Sequence, residues 1–135
     1  MRAESRVRAR ALQVLYALEI TGFDLPVVDN GLGRLTGQTS LVIHRVEPLV
    51  RAIRRDQASL DELARGAAAN WRVERMAIVE RNILRLAIHE LRCGVVPAKV
   101  VIDEALWLAH RFAGDRAPAF INGVLDRIAR DLGRL

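Results

Sequence analysis

Between Val73 and Cys93 apolar residues recur on well over half the circumference of a helix: Met76, Val79, Ile83, Leu84, Leu86, Ala87, Ile88 and Leu91. A helix with so little polar surface cannot lie on the outside of a domain, so other elements must pack around it. Arg81, Arg85 and Arg92 form a narrow basic seam on what remains. Glu80 and Glu90 fall inside the apolar arc. An unpaired carboxylate there is costly, so each needs a basic partner or an opening in the packing.

The surrounding segments are also helical. Gly and Pro punctuate the chain at Gly22–Pro26, Gly31–Gly37, Gly66, Gly94–Pro97, Gly114–Pro118 and Gly133, and no stretch alternates with period two for long enough to make a strand. From about Ala3 to Thr21, Val7, Ala11, Val14, Leu15 and Leu18 share one face. Arg2, Arg6, Arg10 and Gln13 fall together on the other, and Arg8 points elsewhere. A short helix is expected within Leu25–Leu35. One long helix, or two abutting ones, should cover Leu41 to Ala68, with Pro48 kinking it or sitting in a first turn. Ser59 and Glu62 resemble a capping box, incidental if the helix is continuous. After Pro97, a helix over about Ala98–Ala113 turns Val101, Ile102, Ala105, Leu108, Ala109 and Phe112 inward. Trp107 lies opposite, among Asp103, Glu104 and Arg111. The last helix follows Pro118, with Phe120, Val124, Leu125, Ile128 and Leu132 inward and Asn122, Asp126 and Arg130 outward. The expectation is an all-α fold.

With 135 residues, 51% apolar and 27% charged, the chain is too apolar for disorder and long enough for one core or two small lobes. The longest stretch free of Asp, Glu, Lys and Arg is Leu35–His44, far short of the ~20 apolar residues that span a bilayer. Arg2, Arg6, Arg8 and Arg10 before Ala11–Leu18 imitate a signal peptide. Gln13 and Glu19 interrupt or close that stretch and no A-x-A site follows, so a cytoplasmic N-terminus is expected. With Cys93 alone, no intrachain disulfide forms.

Chemistry-bearing motifs are sparse. His89-Glu90-x-x-Cys93 has the spacing of two ligands on one helix face but lacks a third, so no metal is expected. Gly31-x-Gly33 with Gly37 is one residue off a dinucleotide loop and has no preceding strand. No nucleophile elbow or Walker sequence occurs, and no two carboxylates are paired for acid–base work. No catalytic residue and no cofactor is therefore expected. The formal charge of +5 is carried almost wholly by Arg, the only Lys being Lys99. Guanidinium groups at one-turn intervals on the Arg2/Arg6/Arg10/Gln13 face suit successive phosphates, and Gln suits a base edge. A solvated basic face gives the same pattern. Trp107 on a polar face fits either a contact with a neighbouring lobe or a partner site.

Four blocks resemble the NusB family of bacterial transcription antitermination factors. They are Arg8-Ala9-Arg10-Ala11-Leu12-Gln13-Val14-Leu15-Tyr16; Asn70-Trp71 with Glu80-Arg81-Asn82-Ile83-Leu84-Arg85-Leu86-Ala87 through Glu90-Leu91; Val96-Pro97-Ala98-Lys99-Val100-Val101-Ile102-Asp103-Glu104-Ala105; and Phe120-Ile121-Asn122-Gly123-Val124-Leu125-Asp126. They stand in family order, while Gly22–Val42 carries no match. The resemblance implies a single all-α domain of about seven helices in two packed three-helix groups, an N-terminal lobe of about residues 1–70 and a C-terminal lobe of about 71–135. It implies a non-enzymatic, cytoplasmic factor that binds the boxA element of nascent RNA together with NusE, a small-subunit ribosomal protein. The pair acts on transcription complexes with RNA polymerase, on ribosomal RNA operons, and assists rRNA maturation.

Residue by residue, the resemblance assigns RNA binding to Arg2, Arg6, Arg8, Arg10 and Gln13 on the first helix. Phe120 would stack on an unpaired base and Asn122 would meet a base edge. Tyr16, Ile20 and Glu80 match the NusE-facing surface. Ala119 stands where the family commonly has a basic residue, His89 where Tyr is common, and Trp107 where a polar residue is usual. Two other functions fit the sequence: a helical homo-oligomer using Trp107 and apolar helix faces, and an RNA-docking partner of an rRNA methyltransferase. A homodimer is compatible with the family resemblance too.

Overall fold

The computed structural model describes residues 2–22, 40–68 and 73–135. Within them lie six α-helices and no strand: α1 (Ala3–Thr21), α2 (Ser40–Arg55), α3 (Gln57–Ala67), α4 (Ile78–Cys93), α5 (Ala98–Phe112) and α6 (Ala117–Asp131), with a 3₁₀ turn at Val73–Arg75 before α4. The all-α architecture is the one expected. The short helix placed within Leu25–Leu35, the Gly31/Gly33/Gly37 run and Asn70-Trp71 lie outside the described residues. No described helix is long and apolar enough to cross a membrane. By their contacts the residues form two units, Met1–Arg55 and Asp56–Leu135.

In the first unit α1 packs against α2. Val7, Ala11, Val14, Leu15 and Leu18 are buried as their spacing requires, with Leu12 beside them, and Val46, Val50 and Ile53 of α2 are buried too. Full burial of each Leu or Ile contributes roughly 1.5–3 kcal/mol. At the end of α1, Gly22 takes φ +72° and its N–H bonds the Leu18 carbonyl at 2.9 Å. That left-handed cap costs glycine nothing. Pro48 stands in the interior of α2, not in its first turn. The interruption between α2 and α3 comes instead at the turn residue Asp56. Ser59 lies inside α3 and donates to the Asp56 carbonyl at 2.9 Å, so the Ser59/Glu62 pair is no capping box.

In the second unit α4 is the hub, packed by α3, α5 and α6. Ile83, Leu84, Leu86, Ala87, Ile88 and Leu91 are buried, as is Met76 ahead of the helix. The helix begins at Ile78, five residues later than its apolar pattern suggests, and Val79 is only half-buried.

The basic seam of α4 is engaged in contacts within the unit. Arg85 is buried and grips Asp61 of α3. Arg92 donates to Ser59 Oγ at 3.2 Å and lies 3.6 Å from the Asp56 carboxylate. Arg81 donates to the Met76 carbonyl at 3.3 Å. Two of the three arginines therefore fasten α3 onto α4. Arg65, near the end of α3, holds Glu74 of the 3₁₀ turn at 2.7 Å, and that hydrogen bond raises its guanidinium above the ordinary Arg range.

Gly94 ends α4 at φ +70°, its N–H on the Glu90 carbonyl. The Arg134 guanidinium lies directly over its Cα, in the space a Cβ would take. A cation there faces the negative end of the α4 dipole. On α6, Pro118 falls inside the first turn, since the helix begins at Ala117. Leu132, expected inward, is exposed past the helix end.

Candidate nucleic-acid interface

The outward face of α1 is divided along its length. At about 100° per residue, Arg2, Arg6, Arg10, Gln13, Tyr16 and Ile20 fall on one continuous stripe, roughly 27 Å long. Its N-terminal half is basic: Arg2 and Arg6 are exposed, while Arg10 and Gln13 are half-buried. Arg10 Nη1 donates to Gln13 Oε1 at 3.1 Å, which orders both side chains. Its C-terminal half is apolar, with Tyr16 42% and Ile20 56% exposed. The arginines sit at the positive end of the helix dipole, where cations are disfavoured and only Glu4 offsets them. Helix dipole and guanidinium groups together make the potential at that end favourable to anions.

Arg8 departs from the expected RNA-binding set. It lies roughly 200° around α1 from Arg6 and is 6% exposed. The direction of its Cα–Cβ bond, toward the apolar side of the helix, takes it off the exposed stripe.

In the second unit, Phe120 is half-buried and Asn122 exposed, both near the start of α6. Two residues apart on a helix, they diverge by about 200°, so one base cannot stack on the first and bond the second from the same direction. Arg116, the N-terminal flank of α6, is exposed one turn before Phe120 on its side of the helix. It supplies a cation that Ala119 does not. The sequence signal was available as the i−4 spacing to Phe120.

Glu80 is half-buried in the first turn of α4. Among the described residues it makes no ion pair or side-chain hydrogen bond. It stands on the apolar arc with its carboxylate partly exposed.

On α5, Arg111 lies 5.7 Å from the Trp107 ring centre and 5.8 Å from that of Phe112. The cation between two rings gives Trp107 a partner within its own helix. His89 Nε2 and Cys93 Sγ stand 3.6 Å apart on α4. Among the described residues, no three His, Cys, Asp or Glu are grouped to hold a metal ion.

Comparison with known proteins gives this helical body its relatives. The sequence profile of the NusB family matches residues 5–130. The chain is 43% identical over 136 residues to the transcription antitermination protein NusB of Sorangium cellulosum (strain So ce56), covering 100% of this chain and 97% of that one. Its fold superposes on T. maritima NusB with a TM-score of 0.84 at 28% identity, over 97% of this chain and 92% of that one. It is equally similar in fold, with a TM-score of 0.84 at 24% identity, to a crystal structure of antitermination factors NusB and NusE in complex with dsRNA, covering 97% and 98% of the two chains. A profile match over nearly the whole length, joined to a relative this similar from end to end, means that the chain belongs to the NusB family.

Proposed function

We propose that this protein is a transcription antitermination factor, a binding protein and not an enzyme. In this reading it takes up a boxA-type RNA strand together with the ribosomal protein NusE and acts in the cytoplasm on elongating RNA polymerase, at ribosomal RNA operons. The observation that carries the reading is the divided outer face of α1. Arg2, Arg6, Arg10 and Gln13 offer charge and a hydrogen-bonding amide to phosphates and bases, while Tyr16 and Ile20 offer apolar surface to a protein.

Phe120 adds a ring for base stacking, with Arg116 one turn away, and Asn122 a polar group on a separate side of α6. Glu80 offers a carboxylate in an apolar setting, a receptor for a basic group of the partner. Arg8 is left out of the RNA-contacting set, its burial suiting a structural role in the first unit. The related NusB crystallised with NusE and dsRNA lends the pairing support.

The test is co-purification with NusE followed by RNA titration of the pair, with single-stranded and duplex boxA-type probes at low and physiological salt. Salt-sensitive binding of the single strand, strengthened by NusE, is expected. A pair that ignores both probes at low salt refutes the proposal.

A further inference from the structure

We infer that Gly123 is a point of close approach, where the sugar–phosphate backbone of a bound RNA strand presses against α6. This rests on the RNA-binding reading above and adds to it a positioning residue that acts through the absence of a side chain.

Gly123 is the seventh of the fifteen residues of α6. A glycine in a helix interior is less stable than alanine, since it loses more freedom on folding. It requires a compensating reason, and the fold supplies none. Its φ is not positive, so no left-handed turn demands it. A Cβ built at Gly123 would meet nothing within 4 Å among the described residues, so none of the described elements demands it either. The space that a side chain would fill opens outward.

What borders that space points to the occupant. At about 100° per residue, Arg116, Phe120, Gly123 and Arg127 fall within roughly 60° of arc on α6. They form one stripe: cation, ring, gap, cation, about 16 Å from end to end. Arg116 and Arg127 are exposed, and Phe120 is half-buried. Arg127 is 3.4 Å from Asp131, an exposed pair that a phosphate can displace. Asp126, on the flank, is held by Arg130 at 2.9 Å. Asp115 is exposed in the turn just before Arg116 and sets the stripe's less favourable end. A single strand stacking a base on Phe120 must bring its backbone along this stripe, with its charges toward the two guanidinium groups. A protein surface would find a single ring among the four residues of the stripe.

Gly66 is the internal control. It too is helical with nothing within 4 Å of a Cβ among the described residues, but it stands next to last in α3, outside the α6 stripe.

The experiment compares the parent protein, Gly123→Ala and Gly66→Ala, each bound to NusE, by thermal melting and by titration with a boxA-type single-stranded RNA. Both substitutions should raise the melting temperature. Only Gly123→Ala should weaken RNA binding, by about tenfold or more, the size of one disturbed base stack. Affinity for NusE without RNA should be unchanged in both. RNA affinity within about twofold of the parent overturns the inference alone. So does a lowered melting temperature of Gly123→Ala, which would place the glycine's role inside the fold, or weakened NusE binding, which would make the close approach that of a protein. A parent complex that binds no RNA overturns the function and this inference together.

Discussion

Arg85 of α4 meets Asp61 of α3 through two parallel contacts, Nε to Oδ1 at 2.7 Å and Nη2 to Oδ2 at 2.9 Å. The third nitrogen of the same guanidinium, Nη1, donates to Asn82 Oδ1 at 3.1 Å. The Asn82 amide in turn donates to the Ile78 carbonyl at 3.0 Å. Desolvating two charges is expensive, and only a fully satisfied arrangement of this kind repays it. The consequence is a helix pair whose register is set by a polar network as well as by apolar packing.

Arg85→Ala should therefore destabilise the protein by roughly 3–5 kcal/mol, since it strands a partly buried carboxylate. Urea unfolding followed by circular dichroism measures this. Arg85→Met combined with Asp61→Leu should recover most of the loss. A single substitution costing under about 1 kcal/mol would mean that water satisfies Asp61 as well as Arg85 does.

Arg6→Ala and Arg10→Ala should each weaken RNA binding and leave the melting curve nearly unchanged. The slope of log affinity against log salt should fall by about 0.7 for each phosphate of the single strand that is no longer neutralised. Arg8→Ala should do the reverse, lowering stability with little change in the slope. Titrations at three or four salt concentrations separate the two behaviours, and an unaltered slope for all three variants would remove α1 from the RNA site.

Glu80→Lys should reduce NusE affinity by at least about tenfold, because it places a cation where the partner is read as basic. Isothermal titration with NusE alone checks this. RNA binding by the free protein should be untouched. Normal heterodimer formation by the variant would exclude Glu80 from the contact.

Gly94→Ala should be harmful for two separable reasons. The residue sits at φ +70°, and Arg134 occupies the space of a Cβ. The left-handed backbone alone costs roughly 1 kcal/mol for alanine. Displacing Arg134 adds to it. In the Arg134→Ala background the same substitution should cost less, and a double-mutant cycle should give a coupling of at least about 0.5 kcal/mol. Strict additivity would show that the guanidinium swings aside freely.

Much of the architecture is readable from apolar spacing. Val7, Ala11, Val14, Leu15 and Leu18 on α1, and Ile83 to Leu91 on α4, are buried where a period of 3.6 residues puts them. That signal is strong because each face repeats over successive turns. Boundaries are less legible. Val73–Arg75 continues the apolar rhythm of α4 and yet forms a 3₁₀ turn, since rhythm does not report which carbonyl each N–H selects. The break at Asp56 carries no Gly or Pro, whereas Pro48 sits inside α2.

Polar residues are read least well, because their partners lie elsewhere in the sequence. Arg85 reads only as part of a basic seam until Asp61, 24 residues earlier, is brought to it. Arg8 and Arg6 are the same residue type two positions apart, and only the turn of the helix separates a buried guanidinium from an exposed one. Resemblance supplied Phe120, Asn122, Tyr16, Ile20 and Glu80. The apolar period assigns Phe120 to the core, and its half-buried ring lies between the two descriptions.

On α1 the last group of the basic half, Gln13, and the first of the apolar half, Tyr16, are less than one helical turn apart. In the function proposed above, RNA and NusE would therefore share a border on one helix. Linkage then runs in both directions: whatever factor the protein companion adds to RNA affinity, RNA must return to the companion's affinity. In the function proposed above, release of either one would then loosen its neighbour, suiting the assembly to coming apart as a whole.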